Sequence, residues 1–139
     1  MLRGIHPLLT PELLHITRSM GHGDKIAIVD INFPGTSAAT CTTSKKLVNL
    51  AGANAIEVGD AILSVLPLDC FLTEGGASVS TMQVVGSVDL ITECQAEFKT
   101  IIDKHNPVIQ HRMDSIERQG FYEAAKNTFA IVQCSERRP

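Results

Sequence analysis

Segments of two kinds alternate along this chain of 139 residues. Short apolar runs rich in β-branched residues alternate with longer stretches in which apolar residues recur at helical spacing. The run Ile26–Val29 is continuously apolar, as expected for a strand covered on both faces, and the clearest amphipathic helix spans Ile91–Lys104. Because this alternation is typical of parallel sheets flanked by helices, the sequence predicts a single three-layer α/β/α domain with a mostly parallel central sheet.

The boundaries of these segments follow from turn and capping residues. The predicted strands are Ile26–Val29, Leu47–Leu50, Val79–Val85, Met113–Ile116 and Phe129–Cys134. The predicted helices are Pro11–Met20, Val58–Leu66, Ile91–Lys104 and Phe121–Asn127. Thr10 is the expected cap of the first helix and Gly21 its expected stop, whereas the Thr- and Ser-rich stretch from Gly35 to Ser44 predicts a loop. With no linker, repeat or low-complexity tract, residues 1–139 predict one domain.

Composition excludes several classes of partner. Hydrophobic residues make up 44% of the chain and charged residues 19%, which is typical of a globular protein. The net charge is −3 and no basic cluster is interleaved with aromatic residues, so no nucleic-acid partner is expected. No apolar run approaches the roughly 20 residues of a membrane span, and no secretory segment opens the chain, so we expect a cytoplasmic protein without a membrane partner. The four cysteines are dispersed without a Cys-x-x-Cys pair and predict free thiols.

The segment from Met20 to Asp30 carries the strongest signal of chemistry. His22 stands between two glycines and precedes the predicted strand Ile26–Val29, which ends at Asp30. An imidazole transfers protons near neutral pH, and loops at strand ends are where α/β proteins bind ligands. We therefore single out His22 as a candidate acid/base and Asp30 as a candidate ligand group. His22 as an ordinary residue at a helix end, and Asp24 as a turn-forming residue, are the structural alternatives.

Three further polar side chains are candidates on weaker grounds. Asp69 follows the second predicted helix, and Arg118 and Tyr122 flank the start of the last one. A guanidinium and a phenol can bind sugar hydroxyls or stabilise charge, but a solvated loop acid for Asp69, and packing or surface pairing for the other two, are the commoner explanations. No cysteine or histidine pattern has metal-ligand spacing, and no phosphate-binding or dinucleotide-binding glycine motif occurs, so no metal and no cofactor are expected.

Several segments together resemble the L-fucose mutarotase and D-ribose pyranase family. They run in family order across nearly the whole chain: Pro7–Leu14, Met20–Asp24, Asp30–Pro34, Leu66–Asp69, Ile116–Arg118, Phe121–Glu123 and Phe129–Val132. The first block is fairly specific, and the Phe-Tyr-Glu block is closer to the fucose branch.

The resemblance implies a cofactor-free isomerase that interconverts the anomers of a free monosaccharide, here L-fucose or a related sugar. By position, His22 matches the proton-transferring histidine, and Asp30, Asp69, Arg118 and Tyr122 match residues that line the sugar site. Tyr122 is expected to share in proton transfer. The resemblance also implies a ring-shaped homo-oligomer, commonly a decamer, with sites near subunit boundaries.

Three departures from the family pattern keep other functions open. The stretch Leu50–Ala53 stands where the family usually has Arg-Ala-Asp-Gly, and Ala124 replaces an arginine. The family also continues into a Tyr-x-Asn motif, whereas this chain ends at Pro139, so we expect that segment to be absent. The alternatives are a non-catalytic sugar-binding or regulatory protein, a ribose pyranase-like isomerase, and metal-dependent hydrolysis through His22, Asp24 and Asp30.

Overall fold

A computed structural model describes residues 2–69, 77–107 and 113–138, in which helices and strands alternate. The strands are β1 (Ile26–Val29), β2 (Leu47–Leu50), β3 (Val79–Met82), β4 (Met113–Ile116) and β5 (Ala130–Cys134). The helices are α1 (Pro11–Ser19), α2 (Gly35–Ala39), α3 (Ala55–Leu63), α4 (Glu93–His105) and α5 (Arg118–Lys126).

The last strand of the chain lies at the centre of the main sheet. β5 pairs with β1 on one side and β2 on the other, both in parallel, and Val132 lies between Ile28 and Val48 in the register. Parallel neighbours require crossover connections, and the helices between these strands supply them. The carboxyl ends of β1, β2 and β5 therefore lie at one edge of this sheet.

Helices cover both faces of this sheet. Successive side chains of a strand point to opposite faces, and accordingly Val132 packs in a cluster with residues of α1 and α3. Its neighbour Ile131 packs in a second cluster with residues of α2 and α5. Both side chains are fully buried. The predicted α/β/α layering is thus confirmed.

The remaining two strands form a separate parallel sheet. β3 pairs with β4, and neither contains a buried residue. The Gln95 side chain of α4 donates a hydrogen bond to the carbonyl of Met82 at the end of β3. Periodicity identifies strands but not their partners, so the sequence does not predict the division into two sheets. β3 also ends at Met82 rather than at Val85.

The first helix begins as predicted, and two others begin earlier. Thr10 caps α1 by accepting a hydrogen bond from the amide of Leu13 at 3.2 Å. α3 begins at Ala55, not Val58, because Asn54 and Glu57 form a capping box. α5 begins at Arg118, not Phe121, because the preceding glutamate caps it through its carboxylate. Arg118 and Tyr122 therefore lie one turn apart on the same helix.

The prediction of an uninterrupted loop between Gly35 and Ser44 is wrong. Residues Gly35–Ala39 form α2, a five-residue helix. Its small side chains Ala38 and Ala39 are buried against the sheet, and this burial favours a helix where local composition indicates a loop. Within the described ranges, no helix combines the length and the apolar character needed to span a membrane.

A buried carboxylate ties the end of β5 to two helices. The Glu136 side chain receives hydrogen bonds from both sides of the Arg138 guanidinium, at 3.0 Å each, and from the backbone amide of Ala55. Arg138 also contacts Glu97 on α4 at 3.1 Å. The Arg138 hydrogen bonds are the main reason that the pKa of Glu136 falls to about 2.

We expect Glu136→Gln to lower the free energy of unfolding at pH 7. A pKa lowered from 4.5 to about 2 corresponds to roughly 3 kcal/mol of stability. This contribution is present above pH 4.5 and is lost as the pH falls towards 2, so the variant and the wild type should converge in acid. Urea denaturation at a series of pH values measures the difference.

The matched control is Glu123→Gln, because Glu123 is well exposed and pairs with Lys126 on the same helix. Exposed pairs contribute at most about 1 kcal/mol. Equal pH dependence of stability for Glu136→Gln and the wild type would contradict the assignment of this carboxylate.

Candidate active site

His22 lies at the tip of the loop that joins α1 to β1. Gly23 has a positive φ of 86°, which lets the chain reverse directly after the histidine. Asp24 stabilises this turn by accepting a hydrogen bond from the amide of Gly21 at 2.8 Å, as the structural alternative for Asp24 predicts. The His22 side chain is 74% exposed, so solutes can reach its imidazole.

Asp69 holds this loop through both of its carboxylate oxygens. Its Oδ1 lies 2.9 Å from Nδ1 of His22, and its Oδ2 accepts a hydrogen bond from the amide of Gly23 at 3.0 Å. The pKa of Asp69 lies below its usual value. The hydrogen bond from the Gly23 amide is the largest cause, and the hydrogen bond with His22 is the next. An ionised Asp69 only accepts hydrogen bonds, so it favours the imidazole tautomer with the proton on Nδ1 and leaves Nε2 as the basic nitrogen.

Asp30 shapes the loop that follows β1. Its Oδ1 accepts hydrogen bonds from the amides of Asn32 and Phe33, at 2.7 and 2.8 Å. Across residues 2–69, 77–107 and 113–138, no hydrogen bond is made to Oδ2. One oxygen of Asp30 therefore orders the loop, and the other is available to a ligand.

Tyr122 packs against this same loop. Its ring stacks on Phe33 with centroids 5.1 Å apart, and Phe121 meets Phe33 edge-on at 6.2 Å. Arg118, one turn earlier on α5, places Nη2 at 3.5 Å from the Tyr122 hydroxyl and its guanidinium carbon 5.8 Å from the ring centroid. Arg118 thus places its positive charge beside the Tyr122 hydroxyl.

The contacts arrange the five predicted residues in two separate groups. His22 and Asp69 form one group at the loop that leads into β1. Asp30, Tyr122 and Arg118 form the other group at the loop that follows β1, where Phe33 contacts both Asp30 and Tyr122. The convergence of all five on one sugar stays a prediction. Phe33 is a contact that sequence reasoning missed, because the Phe-Pro-Gly segment indicates the end of a strand and says nothing of what its aromatic ring contacts.

Two surface depressions of the described chain lie away from these residues. One, of about 580 Å³, lies beside α1 and includes His15 and Ser19; the other, of about 290 Å³, lies beside Gly52 and Asp60. Neither is lined by a predicted site residue. Over the described ranges, no three His, Cys, Asp or Glu side chains are arranged to hold a metal ion.

Comparison with known proteins identifies the family. The profile of the RbsD / FucU transport protein family matches residues 3–139. The chain belongs to the RbsD/FucU family. The resemblance seen in the sequence is thereby confirmed.

Relatives of this RbsD/FucU protein include named sugar mutarotases. Human fucose mutarotase is 33% identical over 135 residues, which cover 97% of this chain and 85% of that protein. The fucose mutarotase of Streptococcus pneumoniae, whose crystal structure contains L-fucose, is 32% identical in sequence and superposes with a TM-score of 0.82. The match covers 99% of this chain and 91% of that chain. The crystal structure of protein Atu2016 is 40% identical, with a TM-score of 0.90 and coverage of 99% and 89%.

We expect His22→Ala to raise the pKa of the Asp69 carboxyl towards its usual value, but only in part. The substitution removes one hydrogen bond to the carboxylate, while the Gly23 amide, which lowers this pKa most, remains. Carboxyl ¹³C NMR titration measures the change. His15→Ala, on the exposed surface of α1, serves as the control, and an unaltered Asp69 titration in His22→Ala would contradict the pairing.

Proposed function

We propose that this chain is a cofactor-free sugar mutarotase, an isomerase that interconverts the anomers of L-fucose or a related free monosaccharide. The observation that carries the proposal is the hydrogen-bonded His22–Asp69 pair on an exposed loop. Family membership and the likeness to a fucose mutarotase bound to L-fucose support the choice of reaction and substrate.

In the proposed reaction His22 opens the sugar ring as a base. Its Nε2 accepts the proton of the anomeric hydroxyl while the bond from the anomeric carbon to the ring oxygen breaks. The electron pair of that bond goes to the ring oxygen, and the hydroxyl becomes an aldehyde. Asp69 stabilises the imidazolium that forms, since a carboxylate beside a protonated histidine lowers its energy.

Tyr122 is the proposed acid. Its hydroxyl donates a proton to the ring oxygen, and the Arg118 guanidinium stabilises the phenolate left behind. The aldehyde then rotates and closes on its other face, with Tyr122 taking its proton back and His22 returning the other, so no net proton is consumed. Asp30 binds a sugar hydroxyl through Oδ2. The mechanism requires the His22 and Tyr122 groups to face one sugar, within a chain or across a boundary between copies.

We expect His22→Ala to reduce the catalysed rate of L-fucose anomer exchange by roughly 10²–10⁴-fold, the usual contribution of a general acid–base group. Saturation-transfer NMR measures this rate on the free sugar. Asp69→Asn should reduce it as well, because its amide can donate to Nδ1 and so favour the wrong tautomer.

His15→Ala is the matched control and should leave exchange unchanged. Calorimetry on the wild type separates the main alternative: sugar binding with no acceleration of exchange would indicate a binding or regulatory protein. Acceleration of ribose but not fucose would indicate the pyranase-like alternative. No acceleration for any common monosaccharide would contradict the proposed function.

We also propose that the chain assembles with copies of itself into a ring, commonly of ten. The segment between β3 and α4 exposes four large aliphatic side chains within seven positions, namely Val85, Val88, Leu90 and Ile91. Exposed apolar patches of this kind usually mark protein interfaces.

The double substitution Val88→Asp and Ile91→Asp should therefore reduce the mass of the assembly, because it places charge in a surface that contact between copies would bury. Light scattering coupled to gel filtration measures that mass. Leu2→Asp, also at an exposed aliphatic residue but outside this segment, is the control. An unchanged mass in the double variant would exclude this segment as an interface.

We propose that residues 1–139 form one mutarotase-like domain, supported by a family match that begins at residue 3 and extends to residue 139. We propose a cytoplasmic location, supported by the free thiols of Cys41, Cys94 and Cys134, since reducing compartments maintain such thiols.

A further inference from the structure

A single polar side chain interrupts the apolar central strand. In β5, Ala130, Ile131, Val132 and Cys134 are buried, and Gln133 is half-buried among them. Its Nε2 lies 3.1, 3.3 and 2.9 Å from the carbonyl oxygens of Asp30, Ile31 and Phe33. The two hydrogens of one amide are thus shared among three carbonyls of the loop after β1.

The carboxyl end of β5 holds that loop at several points. The carbonyls of Asp30, Ile31 and Phe33 turn towards Gln133, and the amide of Ile31 donates to the carbonyl of Glu136 at 3.2 Å. The amides of Asn32 and Phe33 turn to the Asp30 carboxylate itself. Removing the Gln133 amide would take a donor from all three carbonyls; those of Asp30 and Phe33 would keep the backbone amides of Phe33 and Gly35, whereas that of Ile31 would keep no donor among the described residues.

The Gln133 amide lies close to Gly35. A Cβ placed on Gly35 would lie 2.9 Å from Oε1 of Gln133 and 3.1 Å from a methyl carbon of Leu47. The first distance is shorter than real Cβ contacts allow, so an alanine at this position requires a shift, most readily of the flexible end of the Gln133 side chain. Gly35 thus offers a way to move Gln133 without changing it.

We propose that Gln133 is a positioning residue of the sugar site. Its amide sets the path of the loop Asp30–Phe33, and through that loop it aims the Asp30 carboxylate and supports the Phe33 ring on which Tyr122 stacks. The inference rests on the proposed function, because Asp30 and Tyr122 matter only if they contact the sugar. The His22–Asp69 pair lies outside this network.

Glutamine is the side chain that the geometry requires. Glutamate has nearly the same shape but would direct carboxylate oxygens at three carbonyl oxygens, and like partial charges repel. Methionine has a similar length but carries no donor. Gln133→Met therefore removes the hydrogen bonds with little change in volume, and Gly35→Ala moves the intact amide.

The kinetic test compares anomer exchange of L-fucose in Gln133→Met, Gly35→Ala and Asn49→Leu. Asn49 is the matched control, because it is the exposed residue that pairs with Gln133 in the register of β2. We expect kcat/KM to fall roughly tenfold to a hundredfold in the first two variants, the usual result of a small misplacement of binding groups. Both kcat and KM should change, because Tyr122 is the proposed acid and Asp30 the proposed ligand of a sugar hydroxyl, and the loop that Gln133 holds contacts both.

A spectroscopic readout is independent of activity. The chain contains one tyrosine and no tryptophan, so tyrosine fluorescence reports on Tyr122 alone. Quenching by acrylamide should increase in Gln133→Met and Gly35→Ala while remaining unchanged in Asn49→Leu. Thermal unfolding curves of the variants identify a temperature at which every protein is folded. Quenching is measured at that temperature, so that a loss of stability alone does not change it.

The two readouts together decide whether Gln133 positions the site. Reduced kcat/KM together with increased quenching in both variants supports the proposal, and if one variant does not fold, the result for the other is decisive. Kinetics equal to those of Asn49→Leu, with or without a change in quenching, overturn it while the proposed function stands. A wild type that accelerates no sugar removes the proposed function, and Gln133 then has no sugar site to position.

Discussion

The parallel pairing of β5 with two neighbours is the constraint on which the rest of the structure depends. β5 follows the other strands in sequence, yet it lies between β1 and β2 in the sheet and supplies residues to both packed faces. The core therefore cannot be completed until the C-terminal residues have docked. Because the contacts of β5 are distant in sequence, formation of the sheet requires the closure of long loops, which makes such topologies slow to fold.

Three carboxylates hold loops in place by accepting hydrogen bonds from backbone amides. Asp69 fixes the loop of His22, Asp30 orders its own turn, and Glu136 joins the end of β5 to the start of α3. Each replaces an amide–water hydrogen bond with a charge-assisted one, which is stronger than a neutral pair. The difference among them is burial: Glu136 is enclosed and stabilises the fold, whereas Asp69 is accessible enough to influence chemistry.

Patterns in the sequence predict most of the elements but not their assembly. Ile26–Val29 and Leu47–Leu50 are located correctly because short apolar runs between turn residues need no partner to be recognised. The sequence does not predict α2, because this helix is stabilised by the burial of Ala38 and Ala39. No local sequence pattern indicates that these two residues are buried. The pairing of His22 with Asp69, 47 residues apart, can be anticipated only through a family resemblance. Gln133 leaves a weaker signal, a polar residue inside a buried strand, which is informative only once its partners are known.

The left-handed backbone at Gly23 links the turn after His22 to the Asp69 carboxylate. Gly23 has a positive φ and its amide donates to Oδ2 of Asp69, while the other oxygen of the same carboxylate faces His22. Any L-amino acid at this position would lose about 1–2 kcal/mol by keeping that conformation, or would relax and turn the amide away. The conformation of one residue thus helps to hold the carboxylate that faces the ring of its neighbour.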